Sequence, residues 1–199
     1  MKTTRILPLI VGLAAGGLCV SPARAQQRVP ANDVHCEASS TEQKDIYAKL
    51  EAKCLSQMKG LASRDGDKLR LVLNDGRIKT ISSNSRACED HDAQKCLKYR
   101  LAAYYPAQQL FVIDEDAYES SAAIVVNAQT GAITHMEDRP RMAPSRERLV
   151  VAFSSEAWET ERDIAVYKIE KDAIRLEWSY KAKDYEMWEF GAWDVDDRI

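Results

Sequence analysis

The chain has 199 residues, 45% of them hydrophobic and 30% charged, with a formal charge of −3 at pH 7. That acidic balance argues against nucleic acid and anionic membrane surfaces as partners. With five cysteines and three histidines, metal and thiol chemistry become questions of spacing and compartment.

The first residues, "MKTTRILPLIVGLAAGGLCVSPARAQQ", place Lys2 and Arg5 before an apolar run from Ile6 to Val20, and Ala23-Arg24-Ala25 follows. This is the pattern of a secretory signal peptide cleaved before Gln26. The run falls short of the ~20 residues that span a bilayer, and Leu18 before Cys19 does not fit a lipoprotein signal. The mature protein is therefore expected in the periplasm or outside the cell, with no membrane insertion after cleavage. Losing Lys2, Arg5 and Arg24 takes 28 basic residues to 25 against 31 acids, a charge of −6. Beyond the leader (1–25), one domain is expected, with an arm and helix at 26–66 and an antiparallel β portion at 67–199.

The polar, proline-containing segment "QQRVPANDVHCEAS" reads as an extended arm. A helix follows, capped by Ser40 or Thr41, with Ile46, Tyr47, Leu50, Cys54 and Met58 on one face and Gly60 as its stop. A Cys36–Cys54 bridge would tie the arm onto it. From "SRDGD" onward the period is that of strands. Leu69, Leu71 and Leu73 alternate with polar or smaller residues, and Asp75-Gly76 offers a tight turn before "RIKTI", a hairpin over 69–81.

Cys88 and Cys96 enclose Glu89, Asp90, His91 and Asp92 in "ACEDHDAQKC". Structural zinc sites pair cysteines two to four residues apart, whereas seven intervene here. A calcium loop would need a glycine and a distal glutamate that are missing. In an exported chain four cysteines favour disulfides, and Cys88–Cys96 would close a short loop worth roughly 2.5 kcal/mol on loop entropy. Three acidic neighbours also disfavour a reactive thiolate. Sequence leaves three connectivities open.

Further along, a strand, a loop and a hairpin recur. "QQLFVIDED" and "SAAIVVNAQTGAITHM" are followed by "RERLVVAFS" and "DIAVYKIEKDAIRLEWSY", with Leu110 and Leu149, and Val125 and Val166, about 40 residues apart. Thr130-Gly131 marks one hairpin turn and Lys171-Asp172 the other; Ala143-Pro144-Ser145-Arg146 precedes the second unit. Over residues 105–180 this resembles the blade repeats of TolB-type β-propellers, which have a Thr-Gly turn and a Ser-Pro-Asp-Gly turn; here the latter keeps its proline and lacks the aspartate and glycine. The chain is too short for the four blades of a closed propeller. The expected fold is mainly β: antiparallel blade-like sheets, open or sandwich-like, with one N-terminal α-helix covering an edge.

No serine-nucleophile motif, phosphate loop or metal constellation is present, and His35, His91 and His135 lie in unrelated contexts, His135 within a strand. No catalytic residue and no cofactor are assigned. All four tryptophans fall after residue 157, and residues 151–199 carry 13 acids against 7 bases. Trp178 alternates with Ile174 and Leu176 and is expected in the core; Trp158, in "SSEAWETERD", is the candidate exposed anchor. "YEMWEFGAWDVDD" interleaves rings and carboxylates. The candidate binding residues are Trp158, Tyr185, Trp188, Trp193, Asp194 and Asp196, a face suited to a basic protein partner. The expected function is an exported, non-catalytic binding protein of inhibitor or immunity type. The alternative is an exported hydrolase using Glu186, Glu189, Asp194 and Asp196.

Overall fold

The structure is a computed structural model that describes residues 29–36, 45–153, 162–183, 186, 188 and 190–194, with only the backbone of 45–48. The elements follow in order: β1 (Val34–His35), α1 (Asp45–Gln57), β2 (Ala62–Asp65), β3 (Lys68–Val72), β4 (Ile78–Ser82), α2 (Ser85–Glu89), β5 (Leu97–Tyr105), β6 (Leu110–Ala117), β7 (Ser121–Asn127), β8 (Ile133–Met136), β9 (Arg141–Met142), β10 (Arg148–Ala152), β11 (Ile164–Ile169) and β12 (Ile174–Tyr180). They form three antiparallel sheets, β1-β5-β6-β7-β8, β12-β11-β10-β9 and β2-β3-β4. The fold is mainly β with blade-like meanders and no closure into a barrel, as the sequence implies. The helix cap expected at Ser40 or Thr41 lies outside the described residues.

The five-stranded sheet is buried on both faces. On one face Leu101, Tyr104, Phe111, Ile113, Ile124 and Val126 pack against α1 and the β2-β3-β4 sheet, which contribute Cys54, Met58, Leu69 and Leu71. On the other face Ala103, Tyr105, Leu110, Val112 and Val125 meet Leu149, Val151, Ala165 and Tyr167 of the four-stranded sheet. Burial on two sides explains why "LFVI" and "AIVV" are unbroken apolar runs rather than alternating ones.

A bulge in β5 serves both faces. Leu101 pairs with Ile113 and Ala103 with Val112, so Ala102 is the extra residue and the alternation flips there. Without it Leu101 and Ala103 would share a face.

The β5 edge is closed in two ways. The arm supplies β1, with Val34 opposite Tyr104 and His35 opposite Ala103, and the Cys36 N–H donates to the Ala102 carbonyl at 2.8 Å. Further along the same edge, side chains of the described residues take up β5 backbone groups. The Leu101 N–H donates to Glu51 Oε1 at 2.9 Å, and Arg64 donates to the Tyr99 carbonyl at 2.7 Å. Glu51, on α1, and Arg64, on β2, also form a bidentate ion pair with each other. The Cys36–Cys54 disulfide links the end of β1 to α1 three residues past Glu51.

Cys88–Cys96 is also formed, joining α2 to the start of β5 and leaving no thiolate there for zinc or nucleophilic chemistry. Asn84 caps α2, accepting from the Ala87 N–H at 3.3 Å. Asp92 pairs with Lys95 at the loop tip, and the Lys95 hydrogen bond holds the Asp92 carboxyl below its usual range.

The hairpin over 69–81 is present as β3 and β4, with Gly76 at φ 85°. The repeat aligns equivalent strands: Leu110 and Leu149 lie on the second strand of their meanders, Val125 and Val166 on the third. Gly131, at φ 78°, permits a close approach as well as a turn, because a Cβ there would sit 2.9 Å from Leu73 Cδ1.

Trp178 corrects the sequence reading, being 51% exposed rather than in the core. Val166 pairs with Trp178 but Tyr167 pairs with Leu176, so Glu177 is a bulge. Directly opposed residues share a face, which puts Leu176 on the side of buried Tyr167 and turns Trp178 to the outer side with Val166.

Replacing Glu51 by glutamine leaves Arg64 buried without its counter-charge, and is expected to lower the unfolding free energy by about 3 kcal/mol. An ordinary buried pair tolerates joint apolar replacement. Here E51M/R64M still exposes the unpaired Leu101 N–H and Tyr99 carbonyl and should remain about 2 kcal/mol below wild type. Urea unfolding measures both; a double variant as stable as wild type would contradict the edge-closing role.

Candidate functional site

The C-terminal residues expected to form one face are divided between two places. Trp158, Tyr185 and Asp196, with Glu189, lie outside the described residues. Trp188 is on the outer side of the four-stranded sheet, whereas Trp193, followed by Asp194, lines a groove on its opposite margin.

The outer site is built by β12 as an edge strand. After the Glu177 bulge, Trp178 and Tyr180 stack with centroids 6.3 Å apart and planes 6° from parallel, and Trp188 meets Tyr180 edge-on at 5.9 Å. One carboxylate organises them. Glu186 Oε2 accepts from the Tyr180 hydroxyl at 2.8 Å, the Lys183 N–H at 3.2 Å and the Trp188 indole N–H at 3.4 Å. The Tyr180 hydrogen bond holds the Glu186 carboxyl below its usual range and raises the Tyr180 phenol. Glu186 is thus an anion at neutral pH, unsuited to donate a proton as a hydrolase's general acid must. Trp188 is 44% exposed and Trp178 51%. Glu177, at the bulge, makes a bidentate pair with Arg148, whose hydrogen bond lowers its pKa.

The groove, about 390 Å³, lies between the β1/β5 edge and the β8–β10 connection. Arg139, Arg141 and Arg146 line it beside Asp33 and His35, with Phe190 and Trp193 on one wall. These rings meet at 62° with centroids 6.2 Å apart. Arg139 is held by Asp114 behind the wall. Arg146 makes a bidentate pair with Asp33 and reaches Gln108 Oε1 at 3.1 Å. Its backbone stands at φ 65° in the Ala143–Arg146 turn, closed by a hydrogen bond from the Arg146 N–H to the Ala143 carbonyl at 2.9 Å. That left-handed conformation costs a non-glycine residue about 1 kcal/mol, offset by the ion pair. Two donors on these walls, Arg146 Nε and Trp193 Nε1, are buried without an acceptor, each a cost of about 1–3 kcal/mol.

Sequence reasoning missed the groove. Its signal is "EDRPRMAPSRER", four arginines and two prolines in twelve residues of an acidic chain, within which Arg146 stands where the Ser-Pro-Asp-Gly pattern has glycine and adopts φ 65°. Among the described residues, no group of three or more His, Cys, Asp or Glu is arranged to hold a metal ion, and no helix is long and apolar enough to cross a membrane. The two disulfides fit folding in an oxidising compartment. The chain matches no protein-family model, no curated protein and no solved structure.

Arg146→Gly and Arg146→Ala both remove the Asp33 pair, but only alanine retains the unfavourable backbone. R146A should be less stable than R146G by about 1 kcal/mol in chemical denaturation; equal stability would show that the surroundings do not impose this φ.

Proposed function

We propose that the protein is an exported, non-catalytic binding protein that docks a basic protein partner, acting as an inhibitor or immunity-type protein would. The observation carrying the reading is the array of exposed Trp178 and Trp188 about half-buried Tyr180, organised by the Glu186 carboxylate. Burying exposed aromatic rings is the strongest contribution a small interface can make, and aromatic faces beside a carboxylate attract lysine and arginine side chains. The acidic excess over residues 151–199 would steer such a partner from a distance. Export rests on the leader pattern before Gln26 and on the two disulfides.

Capture from the exported protein fraction onto the immobilised mature chain is expected to recover one dominant basic protein. W178A/W188A should weaken that complex at least tenfold, about 1.4 kcal/mol, with an unchanged thermal midpoint because both rings are exposed. Glu186→Gln should weaken it less, and added salt should slow association. N-terminal sequencing of the exported chain should begin at Gln26. A clean monomer with no partner, or equal capture by the double tryptophan variant, would sink the reading.

A further inference from the structure

We propose that the outer aromatic face recognises an arginine side chain of the protein partner. The guanidinium plane lies against the exposed indoles of Trp178 and Trp188, and one of its N–H groups donates to Glu186 Oε1. This inference rests on the docking reading and deepens it, naming the partner residue that the face takes.

Three observations lead to it. First, the charge at the centre of the face is not neutralised from within the described chain. Around β11 and β12 the carboxylates of Asp163, Glu170 and Glu177 hold ion pairs with Lys181, Arg175 and Arg148. Glu186 makes none among the described residues: its donors are a phenol, a backbone N–H and an indole, all uncharged. Lys183 lends it that backbone N–H and only a minor Coulomb attraction. Second, all three hydrogen bonds arrive at Oε2, and Oε1 accepts none among the described residues. An ionised carboxylate accepts at both oxygens, so Oε1 is open to a donor that a partner brings. Third, the carboxylate sits where ring surfaces meet. It holds Tyr180 and Trp188 by their polar tips, these two rings stand at 79° to each other, and Trp178 lies parallel to Tyr180. A cation bonded to Oε1 therefore lies beside exposed indole, where the ring quadrupole adds to the attraction of the carboxylate.

The chemistry narrows the cation. A quaternary ammonium would cover ring surface but has no proton for Oε1. A lysine ammonium could donate to Oε1, but it is a compact, strongly hydrated point charge that covers little of an indole. A guanidinium is planar and more weakly hydrated, stacks flat on an aromatic face and donates in its own plane. It uses the rings and the open oxygen together.

The test is NMR titration of the isotope-labelled, full mature chain, read at the tryptophan indole N–H signals. The probes are three capped tripeptides, glycine on either side of arginine, lysine or citrulline, the last an uncharged analogue of arginine. The arginine peptide is expected to shift the Trp178 and Trp188 signals saturably in the millimolar range, leaving that of Trp193, on the opposite margin, unmoved. Lysine should bind about threefold more weakly and citrulline at least about fivefold more weakly. Glu186→Gln keeps an oxygen for the three internal donors but removes the charge, and should reduce arginine binding to the level of citrulline. Trp178→Ala should weaken it about threefold. Circular dichroism of each variant confirms folding. No saturable shift with arginine, equal shifts of all the indole signals, lysine or citrulline binding as tightly as arginine, or wild-type affinity in folded E186Q would each overturn the assignment. The docking reading is judged separately, by capture of the partner. A partner captured by wild type and lost with W178A/W188A, together with no preference for the arginine peptide, would overturn the arginine assignment alone.

Discussion

The Glu51–Arg64 pair at the open edge of β5 is the contact on which the other layers depend. An edge strand presents backbone donors and acceptors with no neighbour, and β5 is also the strand against which the arm, α1 and the small sheet assemble. The carboxylate from α1 takes the Leu101 N–H, the guanidinium from β2 gives to the Tyr99 carbonyl, and the two neutralise each other. One charge pair thereby takes up two backbone groups of β5 and joins three layers. Its burial is tolerable because both groups are paired and hydrogen-bonded.

With both faces covered, the five-stranded sheet is the buried middle of the molecule, and the exposed rings and the groove lie at the margins of the four-stranded sheet. At one margin β12 has no further strand beside it among the described residues, and its bulge turns Trp178 and Tyr180 outward. At the other, short β9 and the strained turn at Arg146 leave a groove against the β1/β5 edge. Both features arise from departures from regular strand geometry, a bulge in one case and a positive φ in the other.

Local patterns in the sequence were enough for the helix face around Cys54, the hairpin over 69–81, and the strand equivalences of Leu110 with Leu149 and Val125 with Val166; they favoured disulfides and left the connectivity open among three pairings, of which the structure has Cys36–Cys54 and Cys88–Cys96. Each depends on residues close together or on a period. Two-sided burial was readable in "LFVI" and "AIVV", though those runs say only that both faces are covered and not by what. Bulges are illegible: nothing in "AIRLEWSY" announces that Glu177 is passed over, so the alternation that placed Trp178 with Ile174 and Leu176 failed at that residue. The groove joins Asp33 to Arg146, 113 positions apart, and no local pattern reports such a meeting. Of the candidate binding residues, Trp188 and Trp193 lie on two separate margins of the four-stranded sheet instead of one face.

Hydrogen exchange at the Leu101 amide tests the central claim most directly. Held by Glu51 Oε1 beneath α1, it should exchange only with global unfolding, at the free energy of the Phe111 and Val125 amides in the middle of the same sheet. Exchange at the faster rate of an open strand edge, while Phe111 and Val125 stay protected, would show that the carboxylate does not close β5 and would contradict the account.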